Sequence, residues 1–308
     1  MHGSVEAAGA AVLGARRRGY ALAGAALLIW AGWFVVTRLG VTRELGIYDI
    51  AALRLGVGAL VLLPAFVRSA RGIPPAAWRE GVVLSACWGA PFVLLLSWGV
   101  QLSSAAHAAA ITPTAMPVFA GLIGWAALGE RPGRMRRVGF AVIAAGVLAL
   151  CVAAPHAPGR AWDAWAGDAS LLAASALWAV YTLRVRRAGL APLQAAALVC
   201  LYSSVAYLPI YALSGVSRLD RAGWAEVALQ AFYQGVLVSG VSIVAYNRAI
   251  ALVGPAAAAS VTSLVPVAAA LLAIPVLGEM PTPLTAAAVA CVAAGAYLAA
   301  RPPRPAPA

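Results

Sequence analysis

One charged side chain stands inside a long apolar stretch of this sequence, where an ionised group needs a partner or water. Arg54 lies about two turns into the apolar run 46–66. A guanidinium near the middle of a bilayer costs between about 2.5 and 17 kcal/mol, so it must face protein or water. Two interpretations stay open. Arg54 anchors a substrate carboxylate, or it is a structural arginine that reaches outward, bonds helix carbonyls or lies near Asp49.

Aromatic side chains are frequent near the middle of the apolar runs. If they face inward, they line a mostly apolar pocket that can hold an aromatic ring or an ammonium group; if they face outward, they contact lipid. Tryptophans at the ends of runs are explained by anchoring at the membrane interface. The candidates for a substrate pocket are Trp30, Trp33, Trp88, Trp178, Tyr181 and Tyr233.

Uncharged polar residues at similar depth can bind a zwitterion through hydrogen bonds. Ser and Thr inside helices more often bond their own backbone, whereas an amide in hydrocarbon needs partners. Pro117 and Pro266 each remove a helix hydrogen bond near mid-span, which predicts either a pair of hinges or two tolerated kinks. The polar candidates for the pocket are Thr114, Gln234, Ser260 and Thr262.

Acidic residues are expected only at the ends of the apolar runs. Asp49 opens the second run, Glu130 and Glu279 each follow a glycine at the end of one, and His107 falls at the end of the fourth. Intramembrane carboxylates are the usual proton relays and the usual partners of cationic drugs, so this pattern argues against a proton antiporter of lipophilic cations. The isolated cysteines and the absence of lysine argue against a zinc site and exclude a Walker-A phosphate loop. No metal and no cofactor is expected.

The composition requires a membrane protein. Hydrophobic residues make up 63% of the 308 residues and charged residues only 10%, and apolar runs recur along the whole chain. The net charge of +12 comes from arginines clustered between these runs, which indicates topology rather than nucleic-acid binding. The sequence predicts an all-α polytopic membrane protein with ten transmembrane helices, at about 19–37, 46–66, 81–101, 104–127, 138–154, 169–183, 190–213, 224–246, 252–277 and 282–300.

The chain contains an internal duplication. Residues 108–148 register on residues 257–297 with a shift of 149, so that Pro117 falls on Pro266 and the triplet Leu-Gly-Glu at 128–130 falls on the same triplet at 277–279. The first helices of the two halves agree at a shift of 148. Five spans per half is an odd number, so we expect two inverted-topology repeats, as in many secondary transporters.

The arginines predict the orientation. With the N-terminus in the cytoplasm, sixteen arginines lie in cytoplasmic segments and five in exterior ones. Both termini are therefore expected in the cytoplasm. The predicted segments are a cytoplasmic N-terminal segment (1–18), a first five-helix repeat (19–154), a periplasmic loop between the repeats (155–167), a second five-helix repeat (168–300) and a cytoplasmic tail (301–308).

Short motifs recur along nearly the whole chain, among them Ala52-Leu53-Arg54, Thr112-Pro113, Leu128-Gly129-Glu130, Tyr246-Asn247-Arg248-Ala249 and Leu264-Val265-Pro266. With these motifs the sequence resembles the drug/metabolite transporter superfamily, specifically its ten-span EamA-type members. The resemblance implies an inner-membrane carrier for small metabolites, with spans 5 and 10 packed outside the central cavity. Among such families the chain looks most like the bacterial exporters of aromatic and other neutral amino acids.

The favoured hypothesis is a secondary transporter of the bacterial inner membrane that exports neutral amino acids by alternating access, with little or no proton coupling. Its expected partners are the amino-acid substrate and the lipid bilayer, without nucleic acid, and it is expected to be a monomer or a homodimer. One alternative is a carrier of phosphorylated or nucleotide-linked sugars or of organic cations. A remote alternative is an intramembrane serine hydrolase with Ser242 as nucleophile and His107 as base. No enzymatic activity is expected.

Overall fold

The computed structural model describes residues 2–129, 132–153 and 161–300. All regular elements within these ranges are helices. The first repeat contains α1 (His2–Thr42), α2 (Ile47–Ser69), a 3-10 turn (Ala70–Gly72), α3 (Pro75–Trp88), α4 (Ala90–Leu102), α5 (Ala105–Leu128) and α6 (Arg134–Ala153). The second contains α7 (Ala161–Arg187), α8 (Pro192–Leu213), α9 (Trp224–Gln230), a π-helix (Ala231–Val241), α10 (Ser242–Val253), α11 (Pro255–Thr262), α12 (Val265–Leu277) and α13 (Pro283–Ala300).

Ten helical stretches of the described chain are long and apolar enough to cross a membrane, which confirms the predicted number. An even number of crossings brings the start of span 1 and the end of span 10 to one side of the bundle. We call this the terminal side and the other the opposite side. Spans 1 to 10 are Leu13–Thr42, Ile47–Gly72, Pro75–Leu102, Ala105–Ala127, Arg134–Val152, Trp162–Val185, Pro192–Leu213, Trp224–Val253, Ala257–Leu277 and Pro283–Ala300.

The spans pack as two repeats related by an approximate two-fold axis. Span 1 packs on spans 8 and 9, and its counterpart, span 6, packs on spans 3 and 4. Span 2 packs on its own counterpart, span 7, as span 4 does on span 9 and span 5 on span 10. This pattern is the one that a two-fold axis between inverted repeats requires, because each contact between unlike spans then occurs twice.

Small residues bring spans 5 and 10 into close contact. A Cβ atom at Gly146 would lie 2.6 Å from Val292 Cγ1, and one at Gly295 would lie 2.8 Å from the backbone nitrogen of Ile143. Small residues of this kind let transmembrane helices approach closely without a hydrophobic driving force. This pair of spans therefore joins the two repeats through helix packing.

Three spans depart from a regular α-helix. Span 3 is interrupted at Gly89, where a Cβ atom would collide with the Ser203 hydroxyl oxygen and the Ser85 carbonyl. Span 8 contains the π-helix 231–241, and π-helical turns are common at functional sites. Adding the repeat shift of 149 to Gly89 gives position 238, so these two irregularities fall at matching places. Span 9 is interrupted at residues 263–264.

The two matching prolines lie in different surroundings. Helix α5 continues through Pro117, and the Thr114 hydroxyl donates to the carbonyl of Ala110 in the preceding turn. Pro266 lies in the first turn of α12, directly after the interruption of span 9, where its missing N–H costs little. The interruption is therefore present beside Pro266 only, and the role of both prolines as hinges stays a prediction.

Span 6 begins earlier than the sequence predicts. Its helix starts at Ala161 rather than at Ala169, so residues 161–167 of the predicted loop 155–167 are helical, while residues 154–160 lie outside the described ranges. Asp168 consequently lies about two turns inside the helix. The expectation that acidic residues lie only at the ends of spans is therefore wrong for this position.

Candidate functional site

Arg54 points into the bundle and lies among aromatic rings. Its side chain is 3% exposed, and its guanidinium carbon is 4.2 Å from the centre of the Trp33 ring, 5.6 Å from that of Trp88 and 5.7 Å from that of Phe92. The face of a ring attracts a cation, which offsets part of the cost of burying the charge. The interpretation in which Arg54 reaches outward is therefore wrong.

The rings form one aromatic cluster across spans 1, 3 and 6, which we define as Trp33, Trp88, Phe92, Trp178 and Tyr181. Trp88 stacks on Tyr181 with ring centres 4.8 Å apart and planes at 18°. Phe92 meets Trp178 edge-on at 5.9 Å. Phe92 is absent from the candidates named from the sequence. Its position four residues after Trp88 is the signal that points to it.

Two buried donors in this cluster have no hydrogen-bond partner: Arg54 Nη1 and Trp88 Nε1. Arg54 also forms no ion pair within the part of the chain that the structure describes. An unpaired buried donor costs about 1–3 kcal/mol, and more when it is charged, so the site favours an anionic group such as a carboxylate. The surrounding rings can hold an apolar or aromatic side chain.

Gln234 provides a second polar group near the cluster. It is fully buried in the π-helix, and its Nε2 donates to Thr37 Oγ1 at 2.9 Å and to Gln230 Oε1 at 3.3 Å, whereas its Oε1 has no partner. Thr37 follows Trp33 by four residues on span 1, so the two lie about 6 Å apart along the helix axis. Gln234 therefore offers a buried acceptor beside Thr37, about one helical turn along span 1 from Trp33.

Two further aromatic candidates lie where span 8 packs on span 1. The Tyr233 hydroxyl donates to the Ile29 carbonyl at 3.2 Å. Trp30 Nε1 donates to Ser242 Oγ at 3.0 Å, and its ring lies 4.9 Å from that of Tyr246. Because both donors already have partners within the bundle, these side chains can offer a substrate the surface of their rings and, at Tyr233, the acceptor capacity of the hydroxyl oxygen.

Among the remaining polar candidates, Thr114 and Thr262 donate to carbonyls of their own helices, and Thr262 also hydrogen-bonds the Tyr246 side chain. Thr114 bonds to the turn before it in span 4, and Thr262 Oγ1 donates to the carbonyls of Ala258 and Ala259 at 3.3 and 3.2 Å. Ser260 is half-buried on α11, where its carbonyl accepts the Ser263 hydroxyl at 2.7 Å. Ser and Thr commonly make such bonds inside helices, and none of these bonds reaches the aromatic cluster.

Two buried carboxylates lie towards the opposite side: Asp49, which opens span 2 as the sequence predicts, and Asp168, whose place inside span 6 corrects the expectation. Asp168 is 3% exposed, and its Oδ1 lies 2.6 Å from His107 Nε2 on span 4. Asp49 is fully buried and accepts the Tyr211 hydroxyl at 2.5 Å. Both carboxylates are thus engaged by partners other than Arg54.

A pocket of about 550 Å³ opens between spans 3, 4 and 6 at the terminal side. Ile123 and Val180 contribute to its apolar wall, and the ion pair between Glu80 and Arg184, 2.9 Å long, lies at its rim. Val180 adjoins Tyr181 in the chain, so span 6 borders both this pocket and the aromatic cluster.

A bundle of ten spans in two repeats around a buried, unpaired cation is typical of a membrane carrier. Comparison with known sequences shows to which family of carriers the chain belongs. The sequence pattern of the EamA-like transporter family matches residues 17–152 and again residues 165–301. The chain belongs to that family. Each match covers nearly all of one five-span repeat, which confirms the resemblance and the duplication. This EamA-like transporter therefore carries two copies of the family's domain.

Two similar proteins support this assignment. A probable terminal-alkyne amino-acid exporter of Streptantibioticus cattleyicolor is 28% identical over 282 residues, which cover 88% of this chain and 90% of that protein. A solved crystal structure, described only as a protein, has a TM-score of 0.62 and 20% identity, and the match covers 93% of this chain and 96% of the other. The similarity to this solved structure shows a shared fold and nothing about function.

The family and the relative point to a transporter rather than an enzyme, and the residues of the hydrolase alternative lie apart. Ser242 Oγ accepts from Trp30 and donates to the Val238 carbonyl at 2.7 Å, whereas His107 is bonded to Asp168. Ser242 lies 18 residues into span 8 and His107 at the start of span 4, both counted from the opposite side. They are therefore separated by roughly 20 Å along the bundle, while a catalytic base must lie within hydrogen-bond reach.

Proposed function

We propose that this EamA-like transporter exports neutral amino acids, above all aromatic ones, from a bacterial cell. The observation that carries the proposal is the buried guanidinium of Arg54, which has an unpartnered nitrogen and lies over Trp33. The substrate carboxylate pairs with Arg54, and the substrate side chain packs against the aromatic cluster. The relative from S. cattleyicolor, named as a probable terminal-alkyne amino-acid exporter, supports amino acids as the substrate class.

The ammonium group of such a substrate needs an uncharged acceptor, because Asp49 and Asp168 are engaged elsewhere. The free Gln234 Oε1 supplies one. The positive charge of Arg54 disfavours an organic cation that lacks a carboxylate. A phosphorylated sugar carries more negative charge and would be better bound by a second basic residue beside Arg54, so both alternatives are less well supported.

We place the transporter in the inner membrane with both termini in the cytoplasm. The bias of sixteen arginines to five supports this orientation. The terminal-side pocket then faces the cytoplasm. In this proposal the two repeats rock against each other about the region of Pro117 and Pro266, which exposes the aromatic cluster to each side in turn.

The proposed flux runs down the substrate's own gradient, with little or no proton coupling, in a monomer or a homodimer. The bonds of Asp49 to Tyr211 and of Asp168 to His107 support this, because they engage both buried carboxylates near the opposite side, away from Arg54. A flux that follows an imposed pH gradient would instead implicate the His107–Asp168 pair.

Flux into proteoliposomes tests the substrate and the site together. The purified protein receives labelled Phe, Trp, Met and Thr, an organic cation and a sugar phosphate, each under its own gradient alone. We expect saturable amino-acid flux that Arg54→Gln lowers by at least about a hundredfold, because the carboxylate loses a buried charged partner. Arg54→Lys is expected to retain part of the flux, since a lysine keeps the charge but loses the planar fork.

Arg43→Gln is the matched control, because Arg43 is an exposed arginine just beyond span 1. We expect it to leave the flux within about twofold of the unmodified protein, as for most exposed substitutions. Movement of the cation or the sugar phosphate without amino-acid flux would contradict the proposed substrate. Full amino-acid flux in Arg54→Gln would contradict the proposed site.

A further inference from the structure

An ion pair ties span 1 to span 9 at the opposite side. Arg38 Nε lies 2.9 Å from Glu279 Oε1, and each side chain is 22% exposed. Half-buried pairs with additional hydrogen bonds contribute more than exposed pairs, which contribute about 0–1 kcal/mol. The additional bonds of both partners decide how much this pair restrains the bundle.

Each partner of this pair also bonds to the end of another helix. Arg38 Nη1 donates to the carbonyls of Val100 and Gln101 at 3.1 and 2.7 Å, at the C-terminal end of α4. Glu279 Oε2 accepts the backbone N–H of Ala105 at 2.9 Å, at the N-terminal end of α5. A cation at a helix C-terminus and an anion at a helix N-terminus satisfy free backbone groups and the helix dipole. Two side chains thus join spans 1, 3, 4 and 9.

A second polar contact lies beside the first. The bond between His107 and Asp168 joins span 4 to span 6, and both residues line a pocket of about 290 Å³ together with Arg38. The opposite-side ends of spans 1, 3, 4, 6 and 9 are therefore connected by side chains. Spans 1, 3 and 4 belong to the first repeat and spans 6 and 9 to the second, so these bonds cross between the repeats.

We propose that Arg38 and Glu279 are gating residues: they hold the opposite side closed, and their separation opens it to release the substrate. This inference rests on the proposed export, because release requires an exit at that side. The His107–Asp168 bond adds to the closure. Arg54, the aromatic cluster and Gln234 lie deeper in the bundle, so substrate binding and gating use different residues.

Hydrogen–deuterium exchange tests the gate without any substrate. The protein in lipid nanodiscs is compared with Arg38→Ala and Glu279→Gln; the second substitution keeps the length of the side chain and removes its charge. We expect the backbone amides of residues 103–107, 278–280 and 282 to exchange about tenfold faster in both variants, because the lost bonds shift the equilibrium towards an open opposite side. The amides of spans 5 and 10 report whether the bundle stays folded and are expected to keep their protection.

Arg184→Ala is the matched control, since it removes an ion pair of the same 2.9 Å length at the terminal side. It is expected to leave residues 103–107, 278–280 and 282 as protected as in the unmodified protein. Unchanged protection in Glu279→Gln, or an equal increase in Arg184→Ala, would overturn the proposal. Hydrogen–deuterium exchange does not depend on the substrate. If exchange at these residues rises in both gate variants but the protein carries no amino acid, the proposed function is refuted and the proposed gate still stands.

Discussion

The opposite-side ends of spans 1, 8 and 9 and the terminal-side ends of spans 6, 3 and 4 are matching parts of the two repeats, yet they pack differently. At the opposite side Gln230 Nε2 donates to the Val36 carbonyl at 2.7 Å, and Arg38 pairs with Glu279 at 2.9 Å. At the terminal side the matching ends border a pocket of about 550 Å³. The ion pair at the opposite side is the more buried of the two, and the pocket there is about 290 Å³, whereas the terminal-side ends enclose the larger cavity and carry the more exposed Glu80–Arg184 pair.

This difference shows that the two-fold relation of the repeats is not kept in their packing. If both repeats had the same conformation, the two sides would be equally open or equally closed. An exchange of conformations between the repeats would instead reverse the sides, which is the movement that alternating access needs. Under the proposed alternating access, the larger terminal-side pocket corresponds to a state open to that side, and substitutions at matching positions should affect the two sides unequally.

The largest effect is expected for a pair of valine substitutions at matching positions, Gly40→Val and Ala188→Val, which are related by the shift of 148. A Cβ atom at Gly40 would lie 2.6 Å from Gln230 Nε2 and 2.9 Å from Ile50 Cδ1, whereas Ala188 lines the terminal-side pocket. Overpacking costs about 1–3 kcal/mol, so Gly40→Val should lower the midpoint of thermal unfolding by about 5 °C.

Ala188→Val, at the matching position, should change that midpoint by less than about 2 °C, because its added methyl groups enter the pocket. Thermal unfolding of both variants in the same detergent measures the difference. Equal shifts in the two variants would contradict the unequal packing of the two sides.

A smaller loss of stability is expected when the polar contact between spans 1 and 8 is removed. Gln234 and Ser85 occupy matching positions at the shift of 149, but Gln234 donates to Thr37 on span 1, whereas the Ser85 hydroxyl donates to the Gly81 carbonyl of its own helix. Gln234→Met should therefore loosen the opposite side by about 1–2 kcal/mol, and Ser85→Ala should loosen it little.

Thiol labelling measures this loosening. Ser97 is 1% exposed near the opposite-side end of span 3, so a cysteine placed there reports opening when the four native cysteines are replaced by alanine. We expect maleimide to label Ser97→Cys about tenfold faster when Gln234→Met is added. A comparable acceleration with Ser85→Ala would show that the contact with span 1 is not the cause.

The sequence suffices to predict the spans and the repeats because both depend on local signals. Ten apolar runs of sufficient length and the recurrence of Leu-Gly-Glu at 128–130 and 277–279 require no knowledge of packing. The start of span 6 was predicted too late, because the helix continues into residues of mixed polarity such as Trp165 and Asp168. The interruption at Gly89 depends on the approach of Ser203 from span 7, which no local pattern reveals.

The candidate site could be predicted only in part. The position of each residue within its predicted span pointed to Arg54 and to most of the aromatic cluster, because charges inside a membrane span are rare and tryptophans near mid-span are uncommon. It could not separate Trp33, which lies over Arg54, from Trp30, which bonds to Ser242, since both occupy one helix three residues apart. It also missed the contact between His107 and Asp168, because residues 61 positions apart meet only through tertiary packing.

The smallest effect is expected for the ion pair at the rim of the terminal-side pocket. Arg184 and Glu80 have 50% and 26% exposed side chains, and water screens an exposed pair. Arg184→Ala should therefore change the free energy of unfolding by less than about 0.5 kcal/mol. Arg38→Ala should lower the free energy of unfolding by more, because it also removes two hydrogen bonds to backbone carbonyls. Denaturant titration of the two variants under one condition compares them, and equal losses would show that the opposite side is no more tightly held than the terminal side.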